Sequence, residues 1–196
     1  MKQITIDQLP AKEKAYWQPV AERFARKYNV SVSDFRCYPK EDCIPFNSYD
    51  KRRYVFSNFY PCTLTYNNEF FYSSEQLYFY LCTKQNPTLQ KEILSKRNAA
   101  QVKKMHITEE MMDTNVDKLK MMKEALNIKY KQCPEYRQAL AMSEDYPLVE
   151  YAFWWDLYWG ATTNDDSNYY VGVNATGRIQ MGLREENKVV EPLSFD

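Results

Sequence analysis

Two carboxylates in this chain stand where a carboxylate can do acid–base or charge-stabilising work. Glu75 follows Phe70-Phe71-Tyr72-Ser73-Ser74, an aromatic, strand-like run that stops at two serines. Ser73 and Gln76 fit a capping box, so the spacing predicts a helix opening here with Glu75 in its first turn. Unpaired backbone N–H groups at a helix start favour negative charge, which predicts a lowered pKa and a fixed anion at the end of a strand. An acidic residue in a first turn equally serves helix stability alone. Asp156 follows an apolar strand-like run and stands among Trp154, Trp155 and Trp159. A carboxylate buried beside indoles is costly unless hydrogen-bonded. Such aromatics also offer faces to a nucleobase or a sugar ring. The plainer alternative is a tryptophan core with Asp156 capping a turn. Asn58 and Tyr60 form a third polar–aromatic group, in a segment that also suits a turn.

The elements that must position these residues can be read from spacing. Residues 12–28 carry Tyr16, Val20 and Phe24 at helical intervals, with Pro19 predicting a kink or a fresh start. Residues 29–49 read as a connecting loop, and the run from Arg53 as a strand ending in a turn. Residues 63–72 read as a hairpin, with Asn67 and Asn68 supplying positive φ angles. The Glu75 helix should run to about Lys84. Residues 86–142 read as consecutive helices, capped at Asn86, Asn98 and Thr108. The strongest spans residues 117–133, with Leu119, Met122, Leu126, Tyr130 and Cys133 as its apolar stripe and lysines opposite. Pro134 starts another short helix. Residues 148–153 read as a buried strand, 160–170 as a polar loop, and Asn174 as the N-cap of a last helix carrying Thr176, Ile179 and Leu183. The four glycines all lie between Gly160 and Gly182, which predicts a backbone that bends unusually or approaches something closely.

Composition excludes several classes. The 196 residues suit one domain, or a domain with an appendage. With 26 basic and 26 acidic residues the formal charge is zero, which argues against a broad nucleic-acid footprint or an anionic membrane as main partner. No apolar run approaches the roughly 20 residues of a membrane span, and the first residues lack a signal-peptide core. Five cysteines at irregular spacing suit reduced thiols and a cytoplasmic location. One histidine and no Cys-x-x-Cys pair predict no metal. No phosphate-loop or nucleophile-elbow motif occurs, and no cofactor is expected.

Five stretches together resemble one family. They are Phe56-Ser57-Asn58-Phe59-Tyr60-Pro61, Tyr72-Ser73-Ser74-Glu75-Gln76, Ala125-Leu126-Asn127-Ile128-Lys129-Tyr130, Asp156-Leu157-Tyr158-Trp159-Gly160, and Gly172-Val173-Asn174-Ala175-Thr176-Gly177-Arg178-Ile179-Gln180-Met181. In this order they resemble the NADAR, or YbiA-like, domain. The resemblance implies an α+β fold: a compact, mainly helical single domain with a small β-hairpin and short strands. The expected division is an N-terminal helical extension at 1–52, the domain at 53–188 and a tail at 189–196. It also implies an N-glycosidase that hydrolyses a ribosyl-phosphate or ADP-ribosyl conjugate, of the riboflavin-pathway or ADP-ribosylated-guanine type. The partner would be a small nucleotide or ADP-ribosyl substrate, free or carried on nucleic acid. Carried over residue by residue, the resemblance implies catalytic roles for Glu75 and Asp156. It implies substrate contacts from Asn58, Tyr60, Trp159, Asn174, Gly177 and Arg178, with Arg184 a further phosphate candidate; Gly177 equally suits helix packing alone. Cleaving a ribosyl–nitrogen bond builds positive charge on the sugar, which a nearby carboxylate stabilises. This chain departs from the family's pattern where many relatives carry a lysine and it carries Cys82. It departs again at His106-Ile107, where relatives tend to carry Gly-Arg, and at Phe153-Trp154-Trp155, where Ser-Pro often precedes the aspartate. The alternative is a nucleotide or ADP-ribose binding module with weakened turnover.

Overall fold

A computed structural model describes residues 3–188. The chain opens with helix α1 (Ala11–Tyr28) and strands β1 (Arg36–Pro39) and β2 (Ile44–Phe46). The hairpin β3 (Leu64–Tyr66) and β4 (Glu69–Phe71) leads into α2 (Ser74–Leu81). Next come α3 (Pro87–Leu94), α4 (Ala99–Lys103), α5 (Lys118–Gln132) and α6 (Pro134–Met142). Strands β5 (Leu148–Glu150) and β6 (Tyr169–Gly172) and helix α7 (Ala175–Glu186) complete the described chain. The fold is the mainly helical α+β domain expected. The tail at 189–196 lies outside the described residues.

Capping residues set most of the helix starts. Asn86, Asn98 and Asp117 each accept a hydrogen bond from the backbone N–H three residues on, at 3.1, 2.9 and 3.0 Å. Each such cap stabilises its helix by about 1 kcal/mol. In the hairpin, Asn67 and Asn68 take φ of 50° and 64°, as the turn requires. The hairpin is clamped to α5 by Gln132, whose amide exchanges hydrogen bonds with the Thr65 backbone at 2.7 and 3.0 Å.

The strands form three two-stranded ladders: β1 with β6 and β3 with β4 antiparallel, β2 with β5 parallel. The first fifty residues are therefore more than a helix and a loop, because β1 and β2 pair with strands more than a hundred residues later. Local spacing missed both, since each has only three or four residues and contains a proline. The run from Arg53 is not a strand either; Tyr54–Phe56 is a single 3-10 turn. Helix α1 continues through Pro19 without restarting. Its buried face is Trp17, Ala21, Phe24 and Ala25, one position round from the stripe expected, and Tyr16 is exposed.

Two apolar clusters hold the fold. The larger gathers α2, α5, α6, the hairpin and the β2–β5 ladder, and α2 is buried on almost every face. The smaller joins α1 to β1, β6 and Leu157. Trp155 links it to the site loop, stacking on Phe24 with ring centroids 6.3 Å apart while its backbone sits at φ 64°. A bulky residue in that left-handed region is strained, and packing on α1 holds it there. Asp156 is the next residue, so α1 helps to set the loop that carries it.

Candidate active site

A cavity of about 780 Å³ opens between α2, α5, β5 and the loop after β5. Its size suits a nucleotide-scale ligand. Glu75, Asp156, Asn58 and Trp159 all line it, together with Glu150, Thr176, Tyr78 and Lys103. A second hollow of about 510 Å³, near Tyr54 and Arg97, contains no carboxylate.

Glu75 is held by the start of α2. Ser73 Oγ accepts from the Gln76 N–H at 3.2 Å, and the Glu75 N–H donates to the Asn58 carbonyl at 3.1 Å. Ser74 Oγ adds a bond to Asn58 Oδ1 at 3.1 Å. Only half of the expected capping box forms. Gln76 Oε1 reaches one residue further back, to the Tyr72 N–H at 2.7 Å, and its amide donates to Ile93 and Lys96. The expected low pKa of Glu75 is also reversed. The side chain is 8% exposed, and burial raises its pKa, opposed by Lys103 and reinforced by Asp156. The N–H groups of Glu75, Gln76 and Leu77, which would have favoured the anion, are already taken, so desolvation wins.

Asp156 both caps a turn and faces the cavity. Its Oδ1 accepts from the Tyr158 and Trp159 N–H groups, each at 3.2 Å. That turn aims Trp159 edge-on at Tyr78, ring centroids 5.7 Å apart. Trp154 is 51% exposed and Tyr49 75% exposed, and both line the cavity's edge as an aromatic rim.

Five expected substrate contacts, Gly177 among them, lie outside the cavity lining. Tyr60 packs on Tyr54 and lies 5.5 Å from the Lys129 ammonium. Asn174 is fully buried. At φ 53° it marks the start of α7, but its side chain makes no cap and instead bridges β5, accepting from the Glu150 N–H at 3.0 Å and donating to the Leu148 carbonyl at 2.9 Å. Arg178 is exposed and bears on Tyr38, away from the cavity lining. Arg184 is buried and donates to Ser143 Oγ at 2.8 Å and the Tyr146 carbonyl at 2.9 Å.

Gly177 is a packing residue. A Cβ there would overlap the Leu148 carbonyl and lie 2.6 Å from the Asn174 amide. Gly160 is similar, with its missing Cβ 2.5 Å from the Glu150 carbonyl. The late glycines thus let α7 and the loop press on β5, the strand that presents Glu150. Gly177→Ala is expected to cost about 2–3 kcal/mol, by overpacking alone. Urea unfolding measures this; an unchanged midpoint would refute the packing role.

Cys82 is fully buried at the end of α2 and does not line the cavity. Burial pushes its thiol up to about 11, which leaves it an inert core residue. Glu150 was missed, although a lone acid inside Leu148-Val149-Glu150-Tyr151-Ala152 is a signal, because charge in a buried strand needs a reason. Among the described residues, no group of His, Cys, Asp and Glu is arranged to hold a metal ion, and no helix is long and apolar enough to cross a membrane.

Residues 45–187 match the family model of the NADAR domain. The NMR structure of the E. coli protein YbiA aligns with this chain at a TM-score of 0.64 and 23% identity, covering 79% of this chain and 92% of that one. A search of curated proteins finds no match.

Proposed function

The chain belongs to the NADAR family, and from that premise we propose that it is an N-glycosidase acting on a ribosyl-phosphate or ADP-ribosyl conjugate of a planar base. The observation that carries this reading is the meeting of Glu75, Asp156 and Trp159 in one cavity of nucleotide size. Hydrolysis of a ribosyl–nitrogen bond passes through a sugar with oxocarbenium character. Glu75 as its anion stabilises that sugar and takes the proton of the attacking water. Asp156, fixed by its turn, orients the sugar hydroxyls. Asn58 and Trp159 bound the sugar and the base. Lys103 on the lining provides the positive charge that a phosphate needs, while Lys118 is paired with Glu109.

The aromatic rim gives the reading a second handle. Trp154 and Tyr49 are too exposed to be core, and they stand where a base projecting from the cavity would stack. Stacking of this kind contributes about 1–3 kcal/mol per base. Trp154→Ala is expected to raise KM by roughly 5- to 100-fold with kcat nearly unchanged, the equivalent of that loss. Thermal melting of the variant should match the parent. An unchanged KM would remove the rim from substrate binding.

The reading itself is tested by incubating the protein with NAD, ADP-ribosylated guanosine in DNA, and phosphorylated riboflavin intermediates, with products read by mass. Release of free base from one of them is the expected result. No release from any would overturn it. Ligand-dependent thermal stabilisation without release would instead indicate a binding module.

A further inference from the structure

Glu150 and Glu109 are the cavity carboxyls that the scheme above leaves without a task, and Glu109 is paired with Lys118. Strand β5 carries Glu150 from the core: Leu148 and Val149 are fully buried, and the next side chain reaches the cavity. Its Oε2 is sealed from solvent and completes no hydrogen bond. The Thr176 hydroxyl, sealed beside it, stands within reach of the Glu150 carboxylate and favours its anion. A carboxyl carried into a cavity wall by a buried strand, with one oxygen lacking a partner, calls for a ligand, an ordered water or a reaction. Neither Glu150 nor Thr176 was a candidate on sequence, and the family resemblance carried no role for either.

The groups facing Glu150 come from four elements. Thr176 stands on α7, Glu75 on α2, Asp156 on the loop after β5 and Lys103 at the end of α4; Lys129 on α5 feels it from further off. Burial, chiefly, pushes its pKa up to about 7, with Glu75 and Asp156 adding to the rise and Thr176 and Lys103 opposing it. Glu75 and Asp156 oppose its ionisation, so Glu150 holds its proton toward neutrality.

We propose that Glu150 is the general acid of the site, giving its proton to the base as the base leaves. This rests on the N-glycosidase reading. The C1′–N bond breaks and its electron pair goes to nitrogen, which takes the Glu150 proton. Water adds to C1′ and loses its proton to Glu75. A proton then passes from Glu75 through solvent to Glu150, so both groups return to their starting states.

The test compares two leaving groups. Nicotinamide leaves NAD as a neutral base and needs no proton, whereas guanine does. Glu150→Gln is expected to lower kcat on ADP-ribosylated guanosine DNA by roughly 10²–10⁴-fold while NAD hydrolysis stays within about threefold. The alkaline limb of the wild-type kcat/KM profile on the DNA substrate, near pH 7, should vanish in the variant. Equal loss on both substrates, or a limb that persists, would overturn the role. Should the variant fail to fold, the carboxyl ¹³C resonance of Glu150 in the wild-type protein decides: a midpoint near 7 supports the proposal, and one below about 5 overturns it. No base released from any substrate by the wild-type protein would overturn the N-glycosidase reading and this role with it. Release of guanine from the DNA substrate that Glu150→Gln leaves untouched would overturn this role alone.

Discussion

Glu75→Gln is expected to lower kcat by about 10³-fold or more while the protein stays folded. The substitution keeps the side chain's shape and removes only the charge. The bonds that hold the residue in place are made by its backbone N–H and by Ser73 and Ser74, so they survive. Stability should not fall. The folded-state pKa of Glu75 is raised, so the folded chain binds more protons than the unfolded one at pH values just above the ordinary glutamate range. Its contribution to stability is full below that range and is lost as pH rises through the folded value. Glutamine removes the loss, and the variant should melt no lower than the parent at pH 8. Turnover of a substrate that needs the acid should fall near pH 7 as Glu150 ionises. Steady-state rates and melting curves for both proteins measure this. Full turnover in Glu75→Gln would remove the residue from the mechanism.

What the sequence revealed follows the range over which each feature is determined. Helix starts are local: an Asn or Asp oxygen three residues before its N–H partner is visible in the chain, and Asn86 and Asn98 cap as expected, whereas Thr108 opens only a 3-10 turn without a side-chain cap and Asp117 supplies the cap of α5. The Asn67-Asn68 hairpin is local in the same way. Strands β1 and β2 are not, since their partners lie near the other end of the chain and neither alternates long enough to declare itself. The site shows the same division. Glu75 and Asp156 were legible because a cap and a tryptophan cluster mark them. The sign of the Glu75 shift was not, because it depends on how many elements close over the helix start. Asn174 was read as a cap and a ligand contact, and Gly177 toward either a ligand or packing; what both meet is the backbone of β5. Short-range chemistry and long-range packing leave the same residue types in a sequence, and only the partner distinguishes them.

Lys129 is where that difference should cost most. It sits on α5 where lysines were expected to face solvent, yet it is fully buried, and the expected stripe residue Leu119 is 44% exposed. The apolar face is turned so that Met122, Leu126 and Lys129 share it with Ala125. The Lys129 ammonium donates to the Val55 and Ser57 carbonyls, both at 2.8 Å, and lies 4.4 Å over the Tyr136 ring. It therefore pins the turn whose next residue, Asn58, accepts from the Glu75 N–H. Lys129→Ala leaves two carbonyls without their donor and opens a cavity, at a cost of about 3–5 kcal/mol. Against a total of about 5–15 kcal/mol this brings the protein close to unfolding at 37 °C. Lys129→Met fills the volume but supplies no donor, and is expected to lose about 2–3 kcal/mol. Burial lowers the Lys129 pKa to about 8, so between there and the ordinary lysine value the unfolded chain binds more protons than the folded one. Wild-type stability gains from this residue as pH rises through that window, and the gap to either variant should widen, not close, above pH 8. Urea midpoints at pH 7 and pH 9 measure both effects. If Lys129→Met unfolds at the wild-type midpoint, the two hydrogen bonds contribute nothing net and the turn before Asn58 is held by packing alone. If it unfolds earlier and also loses turnover, the buried lysine positions Glu75 through three residues of backbone, without touching the cavity.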